Sequence, residues 1–269
     1  MPGNIERNSV RRNGTVAFGS GTIIGTLGGL IGLGGAEFRL PLLISLFRFH
    51  GLEAVILNKA LSLVVVATAL PFRTGTVPFA EMMGHWTVIL NILCGSLLGA
   101  WVGAEWATRL KSATLYRIIA TILVLTAGVL WSTHDAVAGS AAFTGHAFVM
   151  ACFVTGFVIG VIASLLGVAG GEFLIPTLVL ICGIDIKLAG SLSLAISLPT
   201  MLVGFARYSR DQSFSVLRHN WGFFVVMAAG SILGTFIGGL LLGVVPSAVL
   251  LPVLVALLLL SAFKVWRHE

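Results

Sequence analysis

Charge is what this sequence has least of. Only 10% of its 269 residues are Asp, Glu, Lys or Arg, while 57% are hydrophobic. A soluble domain coats itself with roughly 25% charged residues, so a wholly water-facing exterior is excluded and the outer surface must meet lipid. The mean hydropathy of +1.04 agrees. Cysteine is scarce: Cys94, Cys152 and Cys182 lie in apolar segments without metal-ligand spacing and read as small hydrophobes in helix packing. The six histidines sit at segment edges without ligand pairs, so no metal or other cofactor is expected. No nucleophile motif or Walker loop occurs. The stretch GTLGGLIGLGG at 25–35 mimics a dinucleotide fingerprint, but it lies within an apolar segment with no strand before it. An enzyme is therefore not expected. Sixteen basic residues against ten acidic ones give a formal charge of +6. No basic patch is interleaved with aromatics, so nucleic acid is not an expected partner; the bilayer is.

Apolar runs are present in abundance. They fall at about 15–33, 38–47, 54–71, 86–106 and 114–132, and again at about 147–166, 173–182, 188–205, 221–243 and 247–264. A helix needs roughly 20 residues to span the hydrocarbon core. The 38–47 and 173–182 runs reach only halfway.

The two sets repeat each other. At an offset of 135, residues 16–47 match 151–182 at 11 of 32 positions, among them Gly21/Gly156, Gly25/Gly160, Glu37/Glu172 and Pro41/Pro176. GSLLGAWVG at 95–103 matches GSILGTFIG at 230–238, whose small-xxx-small steps suit close helix contact. LSL at 61–63 pairs with LSL at 192–194 if a four-residue shift is allowed, which makes Ser62 and Ser193 equivalents. Coincident Gly, Glu and Pro, with Trp86 matching Trp221, at one offset mean internal duplication.

Loop charges orient the repeats. Arg7, Arg11 and Arg12 precede a first helix that lacks a cleavage site, and they place the N-terminal segment 1–14 in the cytoplasm. Arg109, Lys111 and Arg117, then Arg207, Arg210 and Arg218, then Lys264 and Arg267 in the tail 265–269 mark further cytoplasmic segments. The linker 133–146 has no Lys or Arg and should face outward. Each repeat, 15–132 and 147–264, then crosses an odd net number of times, so the two have opposite orientations. The expected fold is an all-α membrane protein of two inverted repeats, each with a short broken-helix hairpin and about three full transmembrane helices.

GLGGAEFRLP at 32–41 and GVAGGEFLIP at 167–176 sit at the two shortest segments. Inverted repeats with interrupted helices point to a transporter's central site. Glycine permits the non-helical turn, and Pro41 and Pro176 are expected near the start of the following helix, where a missing N–H is harmless. Free N–H groups from 34–38 and 169–173 would form two helix N-termini suited to an anion. Glu37 and Glu172 read either as dipole-favouring residues at a helix start or as proton-coupling carboxylates at membrane depth. Lys59 reads either as a snorkelling interface residue or as a gating cation. Arg39 borders the motif, but its counterpart is Leu174. Arg73 and Arg207 read as interface anchors.

The repeated glycine–proline motif, with Ala36 in the first copy where the second has Gly171, resembles the TauE/SafE family of sulfite exporters. The G-S-x-x-G-x-x-x-G blocks and basic loops fit the same family, over about residues 15–264. NKALSL at 58–63 departs from it, where a smaller, more hydroxyl-rich helix start would be usual. The resemblance implies a bacterial inner-membrane permease for small sulfur-containing anions such as sulfite or organosulfonates. The expected substrate-binding residues are Gly34, Gly35, Phe38, Ser62, Gly170, Gly171, Phe173 and Ser193, with Glu37, Glu172 and Lys59 coupling or gating. A homo-oligomer is compatible with the sequence, and an anion channel stays open as an alternative. A non-transporting assembly or sensor module would call for a large soluble domain, and the longest loops are about fourteen residues.

Overall fold

The computed structural model describes residues 13–49, 51–106, 143–166, 168–208 and 214–267, together with 121, 124, 125, 127, 128 and 131. The 114–132 run, the linker and the basic loop residues of 107–120 and 209–213 lie almost wholly outside them. Among the described residues there are eleven helices and no strand. They are α1 (Gly14–Ile31), α2 (Ala36–Ser45), α3 (Gly51–Arg73), α4 (Phe79–Gly84), α5 (Trp86–Trp106), α6 (Gly145–Leu166), α7 (Gly171–Leu180), α8 (Ile186–Tyr208), α9 (Phe214–His219), α10 (Trp221–Val244) and α11 (Ser247–Arg267). Six of them, α1, α3, α5, α6, α8 and α10, contain stretches long and apolar enough to cross a membrane. The ten-residue α2 and α7 are the two short segments. Helix α11 runs on to Arg267, into what reads in the sequence as a tail.

The duplication governs the helix boundaries. Helices α2 to α5 begin at 36, 51, 79 and 86, and α7 to α10 begin at 171, 186, 214 and 221, each 135 residues later. The connections 46–50 and 181–185 have equal length. No four-residue shift therefore exists between α3 and α8, and the equivalence of Ser62 with Ser193 is corrected. Ser62 corresponds to Ser197, and Ser193 to Asn58. The LSL match is a coincidence one helical turn out of register.

Packing is reciprocal between the repeats. Helix α1 lies on α10, and α6 on α5, with the same glycine register in both pairs. A methyl added at Gly21, Gly25 or Gly29 would overlap the backbone of Met227, Ser231 or Thr235; one at Gly156 or Gly160 would overlap Ile92 or Ser96. From the other side, Gly230, Gly234 and Gly238 meet Phe18, Thr22 and Thr26, as Gly95, Gly99 and Gly103 meet Phe153, Phe157 and Val161. Residue numbers rise together along each contact, so the paired helices are parallel. Bare Cα surfaces bring the backbones close enough for dispersion and polar contacts to hold them where lipid supplies no hydrophobic drive. Gly25→Ala should lower stability by about 3 kcal/mol, because a methyl cannot share space with a carbonyl. Gly19→Ala on the same helix meets nothing within 4 Å and should be neutral or stabilising by up to about 1 kcal/mol. Denaturation midpoints in detergent check the pair; equal effects would contradict the packing.

Helix α2 packs chiefly on α3. Leu43, Phe47 and Phe49 share one buried cluster with Ala17 and Ile24 of α1, Ala54 and Leu57 of α3 and Met227 of α10. Phe223 meets Phe47 and Phe49 edge-on, at centroid distances of 4.8 and 4.9 Å. The α2–α3 connection is thus level with the beginning of α1. At their other ends, α3 and α1 meet the beginning of α8, where Arg73 contacts Ser191. Further along, Val66 and Ala69 pack with Leu194 and Met201. Helices α3 and α8, equivalent in the duplication, therefore run antiparallel through the centre.

Candidate functional site

The two glycine turns meet. Gly32, at φ 96°, ends α1 with its N–H on the Gly28 carbonyl at 2.8 Å, a left-handed helix stop. Gly35 (φ 68°) and Gly170 (φ 76°) cap α2 and α7 in the same left-handed region, where a side chain would be strained. The turns lie against each other: a methyl at Gly34 would stand 2.6 Å from the Ala169 Cβ, and one at Gly171 3.2 Å from the Gly32 oxygen and 3.1 Å from Leu33. Two helix N-termini, each with partial positive charge, thus converge.

Two sequence expectations need correction here. Pro41 and Pro176 are the sixth residues of their helices, not near the first. Hydropathy begins the apolar runs two residues late because the first turns carry Glu37 and Glu172. A proline at this depth removes the helical bond to the carbonyl four residues earlier, which is that of Glu37 or Glu172. The second turn's free donors also stop short of Phe173, whose N–H already bonds the Gly170 oxygen at 3.1 Å.

Buried cations flank the turns. Arg39, in the first turns of α2, is 0% exposed and donates from Nη1 to the Ser62 hydroxyl at 2.9 Å. Ser62 and Val66 border Gly34. Lys59 stands one helical turn before Ser62 on α3, on the same face, and is 5% exposed. The snorkelling reading is overturned, because its stem points into the protein. Glu172 is 4% exposed; the Glu37 side chain lies outside the described residues. Ionisable groups buried this deeply in a membrane helix bundle are expensive and usually functional.

The remaining candidates divide. Ser193 donates to the Gly32 oxygen at 2.7 Å and the Gly190 oxygen at 3.1 Å, so its hydroxyl holds the first turn in place. Phe38 is half-buried between two apolar clusters. Phe173 lines a groove between α6 and α7 whose wall includes Ile159, a neighbour of Gly170. The polar features are one-sided. Arg39 and Lys59 have Leu174 and Leu194 as their repeat counterparts, both buried. Sequence reasoning set Arg39 aside for that asymmetry, yet its place in a short apolar segment beside the turn was the available signal.

Arg73 is no interface anchor. It is 1% exposed. Nε donates to Ser191 Oγ at 2.9 Å, Nη1 to the carbonyls of Gly29 at 2.7 Å and Leu30 at 2.9 Å, and Nη2 to that of Lys187 at 2.7 Å. The fork joins the end of α1 to the beginning of α8, and so one repeat to the other. The α1 carbonyls it takes are C-terminal ones left without helical partners. A methyl at Gly190 would stand 2.6 Å from Nη2, so this glycine makes room for the guanidinium.

Six membrane-length helices and two short ones, whose glycine turns meet beside buried cations, define a multi-pass helical membrane protein. Residues 3–130 match the family model described as Sulfite exporter TauE/SafE. The resemblance read from the sequence is thereby supported over residues 3–130, a little under half of the chain. No curated protein and no solved structure matches the chain.

Proposed function

We propose that the chain is a secondary transporter, not an enzyme, that moves small sulfur-containing anions such as sulfite or organosulfonates across a bacterial inner membrane. The observation that carries this reading is the convergence of the two glycine turns beside Arg39 and Ser62. Alternating access would exchange the two sides of this midplane site. The antiparallel course of α3 and α8 supports inverted repeats, with both termini cytoplasmic as the loop charges indicate. A membrane potential negative inside favours anion efflux by about 2.3 kcal/mol per charge per 100 mV, so export needs no coupled ion. Glu172, buried beside the second turn, is the candidate coupling or gating carboxylate.

Flux of sulfite and small sulfonates into proteoliposomes, under an imposed potential or proton gradient, tests the proposal. Gly34→Ala with Gly171→Ala forces the turns apart without placing a side chain on a left-handed residue. Flux should fall at least tenfold while size-exclusion and circular-dichroism profiles are retained. Absence of flux for every sulfur anion with the unmodified chain would overturn the substrate class. Full flux in the double variant would overturn the site.

A further inference from the structure

Cys152, in the second turn of α6, and Cys182, just beyond the end of α7, hold their sulfurs 3.8 Å apart. Both are free thiols; Cys152 is buried and Cys182 half-buried. Their repeat counterparts are Ala17 and Phe47, which fill the same places in the first repeat with plain apolar packing. The fold therefore has no structural need for sulfur at these positions, and the pair is particular to the second repeat.

A groove of about 260 Å³ separates α6 from α7 close to this pair, bordered by Val154, Val158, Ile162, Phe173, Pro176 and Thr177. Between these residues α7 does not pack directly on α6, although its opposite face, with Leu174, Ile175 and Leu178, is buried. The hydroxyls of Thr155 and Thr177, also at the groove, are bonded within their own helices, to the Ala151 and Phe173 carbonyls. No polar bridge from either threonine joins the two helices there. The thiols are where a single covalent bond would fasten α7, and with it the Gly170 turn, to α6.

We infer that Cys152 and Cys182 form a redox site, closing to a disulfide by exchange with a disulfide-bearing oxidant and thereby pinning α7. The more accessible Cys182 thiolate attacks one sulfur of the oxidant R–S–S–R. That bond breaks, one RS⁻ leaves, and a Cys182–S–S–R mixed disulfide forms. The Cys152 thiolate then attacks the Cys182 sulfur and expels the second RS⁻. The two thiol protons pass to the two leaving thiolates, so the protein loses two electrons and the oxidant is reduced to two thiols. The sulfurs must approach by about 1.8 Å to reach bonding distance, within reach of side-chain rotation. On the orientation proposed above, the beginning of α6 and the 181–185 connection lie on the outward side, where disulfides persist.

The full chain in proteoliposomes, treated with 2,2′-dithiodipyridine, quenched in acid and digested, tests the inference. A peptide linking Cys152 to Cys182 is expected, reversible by dithiothreitol and absent from Cys182→Ser, with Cys94 outside the link. Amide exchange across 171–182 should slow at least tenfold on oxidation. Both cysteines recovered as pyridyl adducts or as unreacted thiols would overturn the redox site. A confirmed link with unchanged exchange would overturn the pinning. Neither readout depends on anion flux, so failure here and failure of the transport proposal are separately visible.

Discussion

Arg73→Ala is expected to destabilise the chain by about 3 kcal/mol. The substitution strands the Gly29, Leu30 and Lys187 carbonyls and the Ser191 hydroxyl that the guanidinium now satisfies. A buried acceptor left unpaired costs about 1–3 kcal/mol. Relief of the guanidinium's own desolvation offsets part of that sum. Arg73→Lys should recover less than half, because an ammonium cannot reproduce the planar fork that spans two helix ends. Gly190→Ala should act in the same direction by displacing Nη2. Unfolding midpoints in detergent measure all three. A midpoint for Arg73→Ala within about 0.5 kcal/mol of the parent would show the clamp to be energetically idle.

Arg39→Leu should part stability from transport. The leucine is what the second repeat carries at the equivalent position, Leu174, which is fully enclosed in apolar packing. Replacing a buried charge with a packed apolar side chain is commonly neutral or stabilising, so the unfolding midpoint should hold or rise. An anion crossing the site loses a charge-assisted contact worth about 3 kcal/mol, which corresponds to a roughly 100-fold fall in flux. Lys59→Leu, matching Leu194, should lower flux by about tenfold, because a hydrated point charge offers a less directed contact than a fork. Retained flux in both variants would remove the cations from the transport path, whatever the substrate proves to be.

Much of this architecture is legible in the sequence. The 135-residue offset follows from coincident Gly, Glu and Pro, and the helices obey it to the residue from α2 to α5. The half-length runs became the ten-residue α2 and α7. Hydropathy failed where position matters more than composition. It cannot separate a cation that reaches water from one turned inward, so Arg73 reads as an interface anchor and Lys59 keeps two readings. The acceptors of Arg73 lie 43, 44, 114 and 118 residues away in sequence, beyond any local pattern. The serine triplet misled because a shift of one helical turn preserves the same face. The thiol pair had no sequence signature, since its members are joined only by the return of α7 along α6.

The glycine registers shared by α1 with α10 and by α5 with α6 make each half of the molecule the other's packing partner. Each half packs its first helix more extensively on its twin than on its own helices. A polypeptide cut within 133–146 would leave two fragments with exposed glycine ladders, each an incomplete folding unit on its own. Expressed together, they should find each other as the subunits of an exchanged dimer do.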